Sequence, residues 1–164
     1  MSEDGGVPRE LPRAGAALPW RTKGVLVGVD GSPGSVAALR AAMTLARKLA
    51  LPLHVIVCWD YPDLVHGGDD YPEAFEFPRE DADQILRAAT TDAVGTSVPS
   101  WFTGETRRGR PARELVELSA DAAVLVVGSR GRGGFAGLLM GSVSAACAAH
   151  AACPVLVVPR PADR

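Results

Sequence analysis

The fold of this chain is decided by Val124-Leu125-Val126-Val127-Gly128-Ser129-Arg130-Gly131-Arg132-Gly133-Gly134-Phe135-Ala136-Gly137-Leu138-Leu139-Met140-Gly141-Ser142-Val143-Ser144. An apolar run with the look of a buried strand breaks into a loop rich in glycine that carries Arg130 and Arg132, then resumes at Gly141-Ser142, a pair able to open a helix. Strand, glycine loop and helix in that order bring backbone amides and cationic side chains to one strand end. That is what an anion, above all a phosphate chain, needs.

The same grammar runs through the rest of the chain. Val25-Leu26-Val27-Gly28-Val29 is a short β-branched run of the kind buried on both faces of a sheet, ended by Asp30-Gly31-Ser32-Pro33-Gly34. Val36, Leu39, Met43, Ala46 and Leu49 recur at helical spacing, with Ser32 or Ser35 as N-cap and Pro33 in the first turn. Leu53 to Trp59 is a second buried strand, completing a βαβ unit. Residues 60–78 are acidic, aromatic and proline-bearing, and read as a long crossover loop or lid. Ala82, Ile85, Leu86, Ala89 and Ala93 restore the helical period up to Gly95. Val98 to Thr103 is a weaker strand whose Pro99 lacks a ladder donor, which points to a sheet edge. Pro111 opens a third helix with Leu115 and Leu118 inward, and Ala123 to Val127 feeds the opening stretch. A fourth helix from Ser142 to Ala151 puts Val143, Ala146, Cys147 and His150 on one face, and Cys153 to Pro159 is a fifth strand.

Alternation of this kind is the signature of an open, doubly wound α/β sheet with helices on both faces, in which ligands bind beyond the carboxyl ends of the strands where the winding reverses. If the first and fourth strands are neighbours there, Asp30 stands on one wall of the crevice and the glycine loop on the other.

The whole composition limits what that crevice serves. The 164 residues, 47% of them hydrophobic, suit one domain with a real core. A formal charge of −2 gives no basic field for nucleic acid, so anion recognition must be local. Cys58, Cys147 and Cys153 are an odd number with no CxxC pair, which argues for reduced thiols. No apolar run is long enough to span a membrane, and an acidic Met1-Ser2-Glu3-Asp4 start is unlike a signal peptide, so the cytoplasm is the expected address.

Three phosphate motifs compete for the loop. Walker A is excluded because Gly134 stands where its lysine must be. Gly131-Arg132-Gly133-Gly134-Phe135-Ala136 meets the dinucleotide fingerprint nominally, but it follows a late strand and no acidic residue follows at the ribose-binding distance. Gly128-x2-Gly131-x9-Gly141-Ser142 resembles the nucleotide-binding signature of the universal stress protein family. Val25-x2-Gly28-Val29-Asp30-Gly31-Ser32 and His150-x2-Cys153-Pro154-Val155-Leu156-Val157-Val158 are similar to that family's opening and closing segments. The resemblance covers Lys23 to Pro159, with residues 1–22 and 160–164 left as tails.

The resemblance implies a five-stranded parallel sheet in order 3-2-1-4-5, the adenine nucleotide alpha hydrolase-like class, a homodimer, and bound ATP or another adenine nucleotide, with or without Mg2+. Gly128, Gly131 and Gly141 let backbone approach phosphate, and Ser142 and Ser144, on either side of Val143, offer it hydroxyls at the start of a helix whose dipole favours negative charge. Arg130 and Arg132, flanking Ser129 and Gly131, either add charge-assisted bonds or point to solvent. From the family come the roles of Asp30, beside Gly28 and Ser32, as acceptor for ribose hydroxyls or ligand of a divalent cation, and of the backbone at Val57 as reader of the adenine edge.

Plainer roles stand beside these. Asp30 also suits a turn former or cap, His54 and His150 suit structural histidines, and His66 with Asp69 and Asp70 matches no standard metal spacing. Arg107-Arg108-x-Arg110 reads as a solvated turn. Phosphoryl transfer needs a base and metal-holding carboxylates, and no Glu or His is placed beside the loop by the sequence. The expectation is a protein that holds a nucleotide as a signal and hydrolyses it, or phosphorylates itself, slowly at most; the alternative is a nucleotide-free interaction module. Val155 to Val158, apolar on both faces and at a sheet edge in the implied order, needs a cover, and a second copy's strand supplies one.

Overall fold

The apolar runs pair into one parallel sheet. The computed structural model describes residues 23–59, 77–132 and 140–161. Residues 1–22, the acidic segment 60–76 with His66, Asp69 and Asp70, loop residues 133–139 and residues 162–164 therefore lie outside the described residues. The elements are β1 (Gly24–Gly28), α1 (Pro33–Leu49), β2 (Leu53–Trp59), α2 (Phe77–Val94), β3 (Phe102–Arg108), α3 (Pro111–Leu118), β4 (Ala122–Gly128), α4 (Ser142–His150) and β5 (Val155–Val158). A 3-10 turn at Ser119–Asp121 joins α3 to β4. The sheet order is β3-β2-β1-β4-β5, parallel throughout, so the winding reverses between β1 and β4.

Period-2 alternation divides the core into two layers. Val25 and Val27 of β1, Val55 and Val57 of β2 and Val126 of β4 face one cluster with Ala38, Leu39, Ala42 and Met43 of α1 and Leu86 of α2. Leu26, Ile56, Leu125 and Val127 face the other, with Leu115 and Leu118 of α3 and Cys147 of α4. Each such side chain, fully removed from water, contributes roughly 1.5–3 kcal/mol, so both faces of the central strands are held firmly. α1 starts where the sequence places it: the Ser35 N–H donates to the Ser32 hydroxyl at 3.2 Å and Pro33 sits at the first turn.

Five local readings change. The third strand begins at Phe102 and not at Val98, because the chain turns first and the Phe102 N–H is spent on the Pro99 carbonyl at 3.0 Å. It does lie at a sheet edge, as Pro99 suggested. The shift carries Arg107 and Arg108 out of a turn and into β3. α2 already starts at Phe77, inside the stretch taken for loop. Leu49 is 52% exposed, since α1 ends there as Ala50 takes a left-handed φ of 53°. His150 is exposed and not inward-facing, because the buried stripe of α4 runs through Ser144 and Cys147 toward Ala151 and passes it by.

Candidate functional site

Beyond Gly28 and Gly128, at the reversal, the loops from β1 and β4 close around a cleft of about 250 Å3. Its polar lip has two parts. Asp30 and Ser35 come from the β1–α1 turn, and Gly128, Arg130, Gly131, Arg132, Gly141, Ser142, Val143 and Ser144 from the β4–α4 connection. Its floor is apolar: Ile56 and Cys58 from β2, Pro111 and Leu115 from α3, and Val127 from β4. A polar rim over an apolar floor suits an amphipathic small molecule, with charge at one end and a flat apolar body at the other.

The α4 end of the lip is prepared for an anion. The amides of Ser142, Val143 and Ser144 open the helix without acceptors inside it, and among the described residues no side chain caps them. The N-cap residue is Gly141, with an ordinary φ of −76°. Among the described residues a Cβ there would meet nothing closer than 3.6 Å, so neither its backbone conformation nor its described neighbours ask for glycine at this position. Gly128 is different. A Cβ on it would lie 2.7 Å from the Gly34 carbonyl carbon, inside the first turn of α1, and its glycine is a packing requirement.

The other predicted residues divide between cleft and scaffold. Ser129 does not line the cleft: its N–H donates to the Val158 carbonyl at 2.7 Å, and its carbonyl accepts from the Gly141 N–H at 2.7 Å. The buried Ser144 hydroxyl is directed at the carbonyls of Ser129 and Gly141, at 2.9 and 3.0 Å, which fixes the start of α4. Ser142 keeps its hydroxyl at the exposed mouth. Ser32 is the buried N-cap of α1 and lies off the lining. Gly28 lines the cleft, and a Cβ on it would strike Leu115 Cδ1 at 2.7 Å.

Asp30 spends both oxygens on backbone. Oδ1 accepts from the Ser32 N–H at 2.9 Å and Oδ2 from the Arg132 N–H at 3.0 Å. Burial raises its carboxyl pKa, but hydrogen bonds from Ser32, Arg132 and Ser35 outweigh that and hold it below the usual carboxylate range. Asp30 is the single carboxylate among the described lining residues.

Val57 is fully buried and turned into the α1 layer. Its backbone is also directed elsewhere. A residue's N–H and C=O point to the same side of a strand, alternating along it. The Ile56 carbonyl accepts from Val29 on the β1 side and the Trp59 carbonyl from Gly109 on the β3 side. Val57 therefore addresses β3, and Cys58 addresses the space beyond the end of β1. No local pattern carries this, since it depends on where β1 stops against β2. Cys58 itself is no nucleophile at rest: burial, with Glu114 beside it, pushes its thiol up to about 12.

Behind the floor lies an ion network that the sequence did not reveal. Arg107 Nε donates to Glu114 Oε2 at 3.0 Å, and its guanidinium reaches Glu105 Oε1 at 3.4 Å. The network braces α3 against β3 and so sets how far Pro111 and Leu115 stand from Cys58. Burial raises the Glu105 carboxyl, opposed by Arg107. Among the described residues no group of three or more His, Cys, Asp and Glu is gathered to hold a metal ion, and no helix is long and apolar enough to cross a membrane.

Sheet order, crevice position and lip chemistry define a doubly wound α/β protein with an anion-ready cleft at its strand reversal. The model of the universal stress protein family matches residues 22–159, and the chain belongs to that family. It is 37% identical over 134 residues to universal stress protein Rv2623 of Mycobacterium tuberculosis, a match covering 81% of this chain and 44% of that protein. The chain thus spans less than half the length of that curated relative. Among solved structures, the universal stress protein UspA from Lactobacillus plantarum superposes with a TM-score of 0.65 at 22% identity, over 84% of this chain and 98% of that one. A universal stress protein solved in complex with cAMP superposes with a TM-score of 0.63 at 29% identity, over 85% and 98% of the two chains.

Proposed function

We propose that this chain binds an adenine nucleotide, ATP foremost, and works in the cytoplasm as a nucleotide-dependent stress-response or regulatory module. The observation that carries the proposal is Gly141: no described residue packs against it closely enough to require glycine, while the amides of Ser142, Val143 and Ser144, uncapped among the described residues, open on the same cleft. A ligand group that must touch backbone accounts for both, and a phosphate is the group that helix amides favour. The related structure with cAMP supports the same class of ligand. The phosphates lie against Gly128, Gly131 and α4, Arg130 and Arg132 add charge at the lip, and the base rests on Ile56 and Leu115 with its edge on the Cys58 backbone. With one carboxylate in the lining, already engaged, a Mg2+ ion entering with ATP is held by phosphate oxygens and water. The lip is built for holding, and any hydrolysis or self-phosphorylation at Ser142 is slow.

Titration calorimetry and thermal melting with millimolar ATP and Mg2+ test this. At a hundredfold excess over Kd, binding stabilises by about 2.7 kcal/mol, and melting shifts by roughly 5–10 °C. No heat and no shift, for ATP, ADP, AMP or cAMP, overturns the proposal.

A homodimer is the second part of the proposal. Among the described residues β5 pairs only with β4, and its Leu156 is 41% exposed on an edge that otherwise invites uncontrolled pairing.

A further inference from the structure

We propose that Asp30 is a positioning residue, a latch that ties the glycine loop to the β1–α1 turn across the strand reversal and acts on bound phosphate through that loop. The inference rests on the cleft being a nucleotide site, and the latch itself is visible without a ligand. Asp30 Oδ1 holds the Ser32 N–H of its own turn, and Oδ2 holds the Arg132 N–H, 102 residues further on. Two glycines make room for the contact. A Cβ at Gly131 would lie 2.5 Å from Asp30 Oδ2, so a side chain there would drive loop and carboxylate apart. Gly31, at a φ of +80°, lets the Arg132 guanidinium pass, since a Cβ on it would lie 3.2 Å from Nη2.

The rest of the loop explains why this bond matters. Ser129 is anchored on both sides, to Val158 and to Gly141 and Ser144. Gly131 and Arg132 are exposed, and among the described residues Asp30 is what holds the Arg132 N–H toward the β1–α1 turn. A donor array held in place before the ligand arrives binds more tightly than one ordered on binding. Losing the latch therefore costs the part of the affinity that comes from phosphate and leaves the nucleoside part.

The test uses Asp30→Asn, Asp30→Ala and Gly131→Ala, each read two ways. Asn accepts on one side only and must give up one of the two backbone donors. Gly131→Ala leaves the carboxylate intact and separates the partners by bulk, so it serves if the Asp30 variants fold poorly. Hydrogen exchange without ligand is expected to show the Arg132 amide exchanging on the order of tenfold faster in Asp30→Ala. Binding is expected to weaken for ATP by on the order of tenfold, with or without Mg2+, while adenosine stays within about twofold. Unchanged Arg132 exchange overturns the latch, whether or not any nucleotide binds. Equal losses for ATP and adenosine make Asp30 a ribose contact, and a loss confined to Mg2+ makes it a cation ligand; either overturns the proposal. Wild-type protein that binds neither ATP nor adenosine, yet shows faster Arg132 exchange in the variants, overturns the nucleotide site and the role given to the latch in it, and leaves the latch standing as a structural tie.

Discussion

Gly128 and Gly141 belong to one motif, and replacing each by alanine is expected to give opposite outcomes. At Gly128 the added methyl lies 2.7 and 2.8 Å from the carbonyl carbon and oxygen of Gly34 and 3.1 Å from the Ser35 nitrogen. These are backbone atoms in the first turn of α1, with Ala38 and Leu39 buried behind them, and no rotamer change relieves the clash. Overpacking costs typically 1–3 kcal/mol, and a rigid neighbour puts Gly128→Ala at the upper end, about 3 kcal/mol. That is a fall in melting temperature of roughly 10 °C. At Gly141 the nearest atoms of the described residues stand 3.6 Å away and φ is −76°. A stiffer unfolded chain gains about 0.4–1 kcal/mol, while alanine is a poorer N-cap than glycine by a similar amount. The net change is near zero. Urea unfolding followed by ATP calorimetry on both variants reads the two effects separately. Gly141→Ala should unfold like wild type yet bind ATP at least tenfold more weakly, because the methyl stands where phosphate approaches. A Gly128→Ala protein as stable as wild type refutes the packing argument, and a Gly141→Ala protein with full affinity refutes the site.

Acid destabilisation should trace in part to His54, which shares a 2.6 Å hydrogen bond with Thr103 and whose burial lowers its pKa to about 4. The unfolded ring titrates near 6.5, so stability is complete above that pH and is lost as pH falls toward 4, where only the unfolded chain takes up the proton. The full shift is worth at most about 3 kcal/mol, and about 1–2 kcal/mol is expected after solvent screening; urea midpoints at pH 7 and pH 5 that diverge equally in wild type and His54→Gln rule this out. Cys58, with its thiol pushed up to about 12, should react with iodoacetamide at pH 8 far more slowly than a free cysteine and slower still with ATP bound; fast alkylation in both states contradicts the placement of its side chain on the cleft floor. Leu156→Arg at the edge of β5 should leave a stable monomer in sedimentation at micromolar concentration where wild type is dimeric, and a wild-type monomer ends the dimer proposal.

Much of the fold was legible because its determinants are local. Runs such as Val25 to Val29 and Leu53 to Trp59 declare buried strands, Ser32-Pro33 declares a helix start, and strict alternation leaves little besides a doubly wound sheet. The edge character of β3 was announced by Pro99, though the strand itself lies further on, because the turn before it consumes Phe102's donor. His150 was misplaced because periodicity gives a helix a face without saying where along the helix the sheet ends.

The site was legible in outline and not in division of labour. By itself the sequence determined that Gly128, Gly131, Gly141 and Ser142 meet at one strand end, since their spacing along a strand, loop and helix is fixed by the chain. Only the tertiary structure decided which of them serves the fold and which is left free for a ligand. Gly128 is glycine because α1 presses on it, and Gly141 has no such neighbour among the described residues. Asp30 is tied to Arg132 by a pairing of β1 with β4 that no local pattern encodes. The Val57 backbone faces β3 and that of Cys58 the space beyond β1 because β1 stops short of β2, and strand register is a property of two chain segments at once.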